Sequence, residues 1–473
     1  VAELTVEVPL ENRTASPVPA QLQVQAGTVR IEADVTVAPG HQVVTLTPAS
    51  HPALRIRNPA LWWPNGFGAP TLHDLTVAVT PAGSTRSDRK QLRFGIREVG
   101  YELSLVAPDG ALQRVLFHPT RADHRAVVDV SHGGIRKVAG GWAASLRPDA
   151  AMSPAVRALP ADGIAPHLIL RVNGVRIPVR GGNWGMDDLM KRVDRARLEP
   201  YVRLHRDANL NTIRNWVGQN TEEALFALAD EYGLMVVNDF WISTQDYNGE
   251  PGDAALFLAN AEDTIRRFRH HPSIVLWLGR NEGVPPPVLN EGLEALVRTI
   301  DGTRYYTGNS RSVNMADSGP WDYQRPERYF TDLAQGFSTE VGTPSFPTLE
   351  AFRAMVPAAD QWPPNDSWAY HDWHSARGGS VAGFMAAMTE RLGAPADLED
   401  FERKAQLLNF ESHRAIFEGM NARLFTRNSG RLLWMTQPAW PSTEWQMLSH
   451  DYDTHASFYA IKSAAEPVHV QLN

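Results

Sequence analysis

From residue 177 onward the chain repeats one pattern, in which a short apolar or β-branched run, a helix-length amphipathic stretch and another short run follow one another. Residues 211–216 read as a strand, after which Leu225, Leu228, Ala229 and Tyr232 recur at the i, i+3, i+4, i+7 spacing of a helix face. Asn220 with Glu223 three residues on matches a capping box, and Gly233 supplies the stop. Residues 234–238 are too apolar for a half-exposed strand and suit a parallel sheet covered on both faces. A polar-faced helix over 254–269 leads into a strand at 273–279. Further strands are predicted at 305–308, weakly at 328–330, at 336–341 and at 432–436; with 177–180 as the first, they make eight. Eight such strands with interposed helices over roughly 300 residues predict an α/β chain built as a (β/α)8 TIM barrel.

The part before the barrel has a different texture. Residues 4–8, 21–24, 43–46 and 75–79 are short alternating segments separated by Pro, Gly, Asn and Ser, the pattern of a small antiparallel β-sandwich over residues 1–97. Within Leu61-Trp62-Trp63-Pro64-Asn65-Gly66 the two tryptophans are expected to seal the sandwich edge. Residues 98–165 are assigned to a barrel entry strand and a long insertion; from 104 on they are rich in Gly, Ala and Pro and show no sustained period, so only local hairpins are expected there. Asn173-Gly174 between two apolar runs is a strong hairpin signal, and the barrel is assigned to residues 166–473.

Composition narrows the function. The balance of 45 basic and 53 acidic residues, −8, argues against a partner held through a basic surface, such as nucleic acid. No apolar run approaches the ~18 residues of a membrane span, so no membrane partner is expected. The absence of cysteine removes disulfides, thiolate metal sites and a cysteine nucleophile. Fourteen tryptophans suit a carbohydrate groove or a large core. The chain opens at Val1 without a visible leader, which reads as a removed leader or a piece of a longer protein; the compartment stays open, the periplasm and the medium included.

In a barrel of this kind, polar residues at the C-terminal ends of strands read as catalytic. Those ends here carry Arg214-Asn215-Trp216, Asn238-Asp239-Phe240-Trp241, Arg280-Asn281-Glu282 and Glu340. Glu282 and Glu340 would reach one barrel mouth from different walls. Paired carboxylates there are the equipment of glycosidic bond cleavage, one protonated and one ionised. Asn281 would present its amide to a sugar hydroxyl. The competing reading makes both glutamates ordinary surface residues of loops. No Gly-x-Ser-x-Gly elbow, Walker loop or dinucleotide fingerprint follows a strand.

These residues also resemble a known family. Asn281-Glu282 after a strand headed by His271-Pro272-Ser273, with Phe337-Ser338-Thr339-Glu340-Val341-Gly342, is similar to the acid/base and nucleophile motifs of glycoside hydrolase family 2. Asn58-Pro59-Ala60-Leu61-Trp62-Trp63-Pro64-Asn65-Gly66 resembles the end of that family's immunoglobulin-like domain, and Phe94-Gly95-Ile96-Arg97 its entry into the barrel. Gly181-Gly182-Asn183-Trp184, Arg214-Asn215-Trp216, the tail after Trp440-Pro441-Ser442 and the closing Glu466-Pro467-Val468-His469-Val470 resemble the branch of β-mannosidases, endo-β-mannosidases and exo-β-glucosaminidases. The resemblance implies a retaining mechanism with Glu340 as nucleophile and Glu282 as acid/base, carboxyls about 5–5.5 Å apart, and no metal or organic cofactor. It implies an oligosaccharide substrate, with further β domains or chains of the same enzyme as partners. The glucosaminidases carry an aspartate after serine where this chain has Asn281-Glu282, which favours a β-mannoside of the Manβ1-4GlcNAc type; Ser318-Gly319-Pro320-Trp321-Asp322-Tyr323 looks shared with the glucosaminidases and keeps chitosan oligosaccharides as the alternative. An inactive carbohydrate-binding piece of a larger enzyme is the second alternative. Exo or endo action would depend on loops, the 104–165 stretch among them.

Around the two glutamates, Trp184, Trp216, Trp241, Trp321 and Trp440 fall at or past strand ends, where they would stack on a pyranose or fill the top layer of the barrel. Tyr323 joins them as a candidate sugar contact. Asp187 and Asp188 would bind hydroxyls or cap a helix beginning near Lys191. Asp239 would contact a hydroxyl or orient Arg214, and Arg214 would hold Glu340 ionised. His371, in His371-Asp372-Trp373-His374, lacks a clear third metal ligand and is expected to form a loop wall beside the substrate.

Overall fold

The computed structural model describes residues 1–150, 152–186, 188–244, 249–374 and 380–472. They divide into two compact units, one formed by Val1–Trp63, Gly68–Arg97 and His270–Pro272 and the other by the rest.

In the first unit, alternation dictates the architecture. Ala20, Leu22, Val24 and Ala26 of the strand Val18–Ala26 point inward while the intervening residues face out. A four-stranded antiparallel sheet runs in the order Val29–Val37, Val18–Ala26, His73–Pro81, Asp88–Phe94. Its inner face packs Leu22, Val24 and Ile31 against Val6, Val8 and Leu46 of the antiparallel pair Val6–Asn12 and Gly40–Leu46. This is the predicted sandwich. Trp62 is fully buried, its backbone N–H donating to the Ile96 carbonyl at 2.9 Å.

The second unit opens with a sheet where an insertion with local hairpins was expected. Its path runs Val128–Asp129, Gly141–Leu146, Val99–Val106, Leu112–Phe117, Val156–Ala158, and three further strands join it to make eight. Val99–Val106 alternates apolar Val99, Tyr101, Leu103 and Leu105 with Gly100, Glu102 and Ser104, yet it is buried along nearly its whole length, polar positions included. Gly141–Leu146 pairs with it in parallel from some forty residues away, a partnership no local pattern encodes. The Asn173-Gly174 turn is present, with φ of 51° and 82°, joining Ile169–Val172 to Val175–Ile177. Ile177 thus ends a hairpin strand, and the first barrel strand is Val179–Trp184 rather than 177–180.

The barrel sheet holds seven parallel strands among the described residues, in the order Tyr305–Thr307, Ile274–Leu278, Met235–Asp239, Thr212–Asn215, Val179–Trp184, Gly430–Leu433, Phe337–Val341. The weak strand expected at 328–330 lies instead in the helix Arg328–Thr331. The edge of Phe337–Val341 not paired with Gly430–Leu433 is covered by the irregular run 313–320. Ala316 N donates to Phe337 O at 2.8 Å, Gly319 N to Glu340 O at 2.9 Å, and Gly342 N to Pro320 O at 2.8 Å. Asn, Asp, Gly and Pro in this run are poor strand formers, which hid it. The middle sheet holds the run in place, as Asn314 N donates to Trp142 O at 3.0 Å and the Asn314 amide exchanges bonds with the Ser104 backbone.

The helix Glu223–Tyr232 ends at Gly233 (φ 70°) as expected but has no capping box. Asn220 turns inward, donating to Gly185 O and Asn215 Oδ1, because satisfying buried backbone outweighs capping an exposed helix end.

Candidate active site

The strand Thr212–Asn215 is buried on both faces and projects Arg214 into the top of the barrel, fully buried. A guanidinium there must satisfy every donor within the protein. Its Nε and Nη2 meet Asp239 Oδ1 at 3.1 Å and Oδ2 at 2.7 Å, a bidentate fork. Nη1 donates to Glu340 Oε1 at 2.8 Å and Asn183 Oδ1 at 3.1 Å, and Nη2 also reaches Asn281 Oδ1 at 2.8 Å. One side chain thereby ties together the ends of five strands. Asp239 is further fixed by Val217 N at 3.0 Å, and Asn183 donates to Thr339 O and Leu433 O.

Glu340 is 3 % exposed. Burial pushes its carboxyl up to about 7 against the pull of Arg214, and the charges of Glu282 and Asp239 add to the rise. The ion pair with Arg214 forms and pulls this carboxyl down, as expected, but desolvation outweighs it and the net direction is up. Burial likewise raises Asp239, opposed by the guanidinium.

Glu282 follows Asn281 with φ of 46°, a left-handed conformation that costs a non-glycine residue free energy and persists only where its neighbours hold it. Its N–H donates to Ser310 Oγ at 2.8 Å, and Thr339 Oγ1, one residue before Glu340, donates to Ser310 O at 2.5 Å. Ser310, fully buried, thus links the walls carrying the two glutamates. Thr244 Oγ1 accepts from Asn281 Nδ2 at 2.7 Å and donates to Glu282 Oε2 at 3.3 Å, while Glu282 Oε1 has no hydrogen-bond partner among the described residues. Sequence reasoning missed Asn183, Thr244 and Ser310 as site members: Thr244 and Ser310 are small polar residues in loops, which carry no periodic signal, and Asn183, inside the strand Val179–Trp184, was noted only as part of a motif.

The remaining predicted residues divide. Trp216 sits half-buried, edge-on to Trp434 at 5.1 Å, and Trp241 packs edge-on to Phe257. Trp321 is half-buried, its carbonyl accepting from Trp445 Nε1 at 3.2 Å. His371 stacks on Trp440 at 5.4 Å and pairs its Nδ1 with Pro441 O at 2.7 Å. Others are structural. Trp184 is fully buried between Tyr201 and His205, so no sugar reaches its face. Asp188 is equally buried; against the cost of burial, Arg192 and the Met190 N–H hold its carboxyl at about 2, and Asp194 caps the helix Arg195–Asp207 instead. Tyr323 packs edge-on to Phe384 in a separate apolar cluster. Asp187 lies outside the described residues. One acidic residue passed unnoticed: Glu444 is 1 % exposed, and burial, with the charges of Asp372 and Asp322, pushes its carboxyl up to about 9.

Chemically, the arrangement offers two electrostatically coupled glutamates, one buried and clamped by a guanidinium, the other with an oxygen left for a ligand. The donor set is built around the fixed cation of Arg214, which already occupies the Asp239 and Glu340 carboxylates.

Comparison with known proteins agrees in order and extent. Residues 1–97 match the family model "Glycosyl hydrolases family 2", and residues 168–318 match "Glycosyl hydrolases family 2, TIM barrel domain". The mannosylglycoprotein endo-beta-mannosidase of Lilium longiflorum is 30% identical over 537 aligned residues, covering 100% of this chain and 50% of the lily protein. The exo-beta-D-glucosaminidase of Streptomyces avermitilis is 27% identical, covering 99% of this chain and 48% of its own length. In fold, the chain is similar to the exo-chitosanase of Amycolatopsis orientalis (TM-score 0.76, 22% identity, 99% of this chain and 51% of that one). It is also similar to the beta-D-mannosidase of Dictyoglomus thermophilum (TM-score 0.70, 19% identity, 98% and 52%). The chain spans about half the length of the curated relatives it matches.

Proposed function

The chain belongs to glycosyl hydrolase family 2, and from that premise we propose that it carries the catalytic centre of a retaining glycosidase acting on β-linked mannosides. The observation that carries this reading is Arg214 bonded at once to Glu340 and Asn281, with Glu282 next in chain and coupled to Glu340 by charge. Glu340, with Oε1 held by Arg214, attacks the anomeric carbon as Glu282 gives its proton to the departing glycosidic oxygen. The bond from sugar to leaving group breaks and a glycosyl ester to Glu340 forms, through a transition state with oxocarbenium character. Glu282, now ionised, takes a proton from water, whose oxygen attacks the same carbon and frees Glu340. Asn281 uses its Oδ1 on Arg214 and one N–H on Thr244, which leaves its other N–H for the 2-hydroxyl.

The mannoside preference rests on the lily enzyme, similar across the whole chain, and on Glu rather than Asp after Asn281. The Streptomyces glucosaminidase, nearly as similar, supports chitosan oligosaccharides as the alternative. Incubation with p-nitrophenyl β-mannoside, β-glucosaminide and β-galactoside, and with an N-glycan core glycopeptide, ranks the sugars. Glu340→Gln should abolish turnover; near wild-type rates in that variant would falsify the assignment. Binding without release from any of the four would favour a carbohydrate-binding piece of a larger enzyme.

A further inference from the structure

A groove of about 1230 Å³ lies against the irregular run 313–320. This exceeds the roughly 300–1000 Å³ of a small-molecule site. It extends from Gly336, at the start of Phe337–Val341, to Pro320, which accepts from Gly342 beyond that strand's end. Five strand residues span about 16 Å at 3.3 Å each, a length for several sugars rather than one.

Of the two glutamates the groove is lined by Glu282, not Glu340. An acid/base residue faces the leaving group, so the groove lies on the leaving-group side of the scissile bond. Three lining side-chain oxygens, Glu282 Oε1, Ser318 Oγ and Gln335 Oε1, have no hydrogen-bond partner among the described residues, and Arg311 and Asp317 add an ion pair of 2.7 Å. The middle sheet contributes to the lining as well. There Trp142 lines the groove with 41 % of its surface exposed, an unusual placement for the largest apolar side chain. Its backbone is not free to drift, since it bridges to Val313 and accepts from Asn314 N. An exposed indole on a fixed backbone, in a groove that the acid/base carboxylate also lines, suits the apolar face of a pyranose.

We propose that Trp142 is a stacking platform for the leaving-group saccharide, so that the sheet of residues 99–177 gives this chain its preference for oligosaccharides over small glycosides. The proposal rests on the reading of Glu282 as acid/base. Its test compares Trp142→Ala and Trp142→Phe with the wild type on β-mannotetraose and on β-mannosyl fluoride, whose leaving group is a single atom. Trp142→Ala should raise KM for the tetraose about tenfold, leave the fluoride unchanged, and be largely rescued by Trp142→Phe. An unchanged KM for the tetraose, or an equal loss on both substrates, overturns the proposal. Calorimetric titration of β-mannotetraose and chitosan tetraose into Glu340→Gln, with and without Trp142→Ala, separates this proposal from the assigned activity. About tenfold weaker binding without the indole sustains the platform even if the wild type cleaves neither sugar; equal binding, or none by either chain, overturns it.

Discussion

A guanidinium has five N–H donors, and at Arg214 each has an acceptor: two oxygens of Asp239, one of Glu340, and the side-chain carbonyls of Asn183 and Asn281. Lysine offers three donors on a point charge and cannot reproduce that fork. Arg214→Lys should therefore lower kcat by two orders of magnitude or more. Because Glu340 sits at about 7, kcat/KM of the wild type should fall as the pH drops through 7 and the carboxylate takes up its proton. Arg214 pulls that value down, so the acid limb in Arg214→Lys should move to higher pH; a limb that moves lower would sink this account. Ser310 calls for a different measurement. Without its hydroxyl, the Glu282 N–H loses its acceptor and the left-handed turn its support. Ser310→Ala should slow glycosides with poor leaving groups, which need the acid, far more than 2,4-dinitrophenyl glycosides, which do not. Equal slowing of both would mark Ser310 as merely structural.

At the level of elements, the sixth barrel position shows how packing overrides propensity. Tyr329 and Phe330 favour a strand, yet they form a helical turn beneath the long helix Leu398–Asn421, where Tyr329 is fully buried. The helix comes so near that a Cβ on Gly419 would stand 2.3 Å from the Tyr329 carbonyl oxygen, a backbone atom that cannot step aside. Gly419→Ala should accordingly destabilise the chain by about 1–3 kcal/mol in denaturant titration, despite alanine's better helix propensity. Unchanged or higher stability would mean that the two helices are not so tightly packed. The free edge of Phe337–Val341 is then covered by residues 313–320, whose turn-forming composition gave no sign of a barrel role.

Across the whole molecule, stability should carry a marked acid dependence. His205, His413 and His455 are buried, and burial lowers each to about 4, with partial compensation from backbone carbonyls. An unfolded histidine takes up its proton near 6.5, so between pH 6.5 and 4 the unfolded state binds more protons than the folded one. Stability contributed by these neutral rings is therefore present above pH 6.5 and lost as pH falls toward 4. His413→Gln should remove up to one proton from that dependence, about 1.4 kcal/mol per pH unit within the window. Unfolding titrations at pH 4.5 and 7 check this, and a slope equal to the wild type's would refute it.

Glu282, Glu340, Arg214 and Asn281 were legible in the sequence because each ends a strand whose apolar pattern is local, and the Asn173-Gly174 turn and Gly233 stop because the backbone there needs positive φ. The same local reading could not tell that Trp184 and Asp188 are buried structural groups, since burial depends on what the rest of the chain lays over them. Nor could it find the sheet of residues 99–177, held by a parallel pairing across some forty residues, or the irregular run that covers the strand edge beside Glu340. Side-chain periodicity is set by each residue's neighbours in sequence, whereas strand partners, desolvation and the pull of one charge on another are set by neighbours in space. The amino-acid sequence alone thus determined which polar groups stand at the strand ends of the proposed site. Tertiary structure decided which carboxyl is buried and clamped, which is left open to a ligand, and that Trp142 faces the groove beside it.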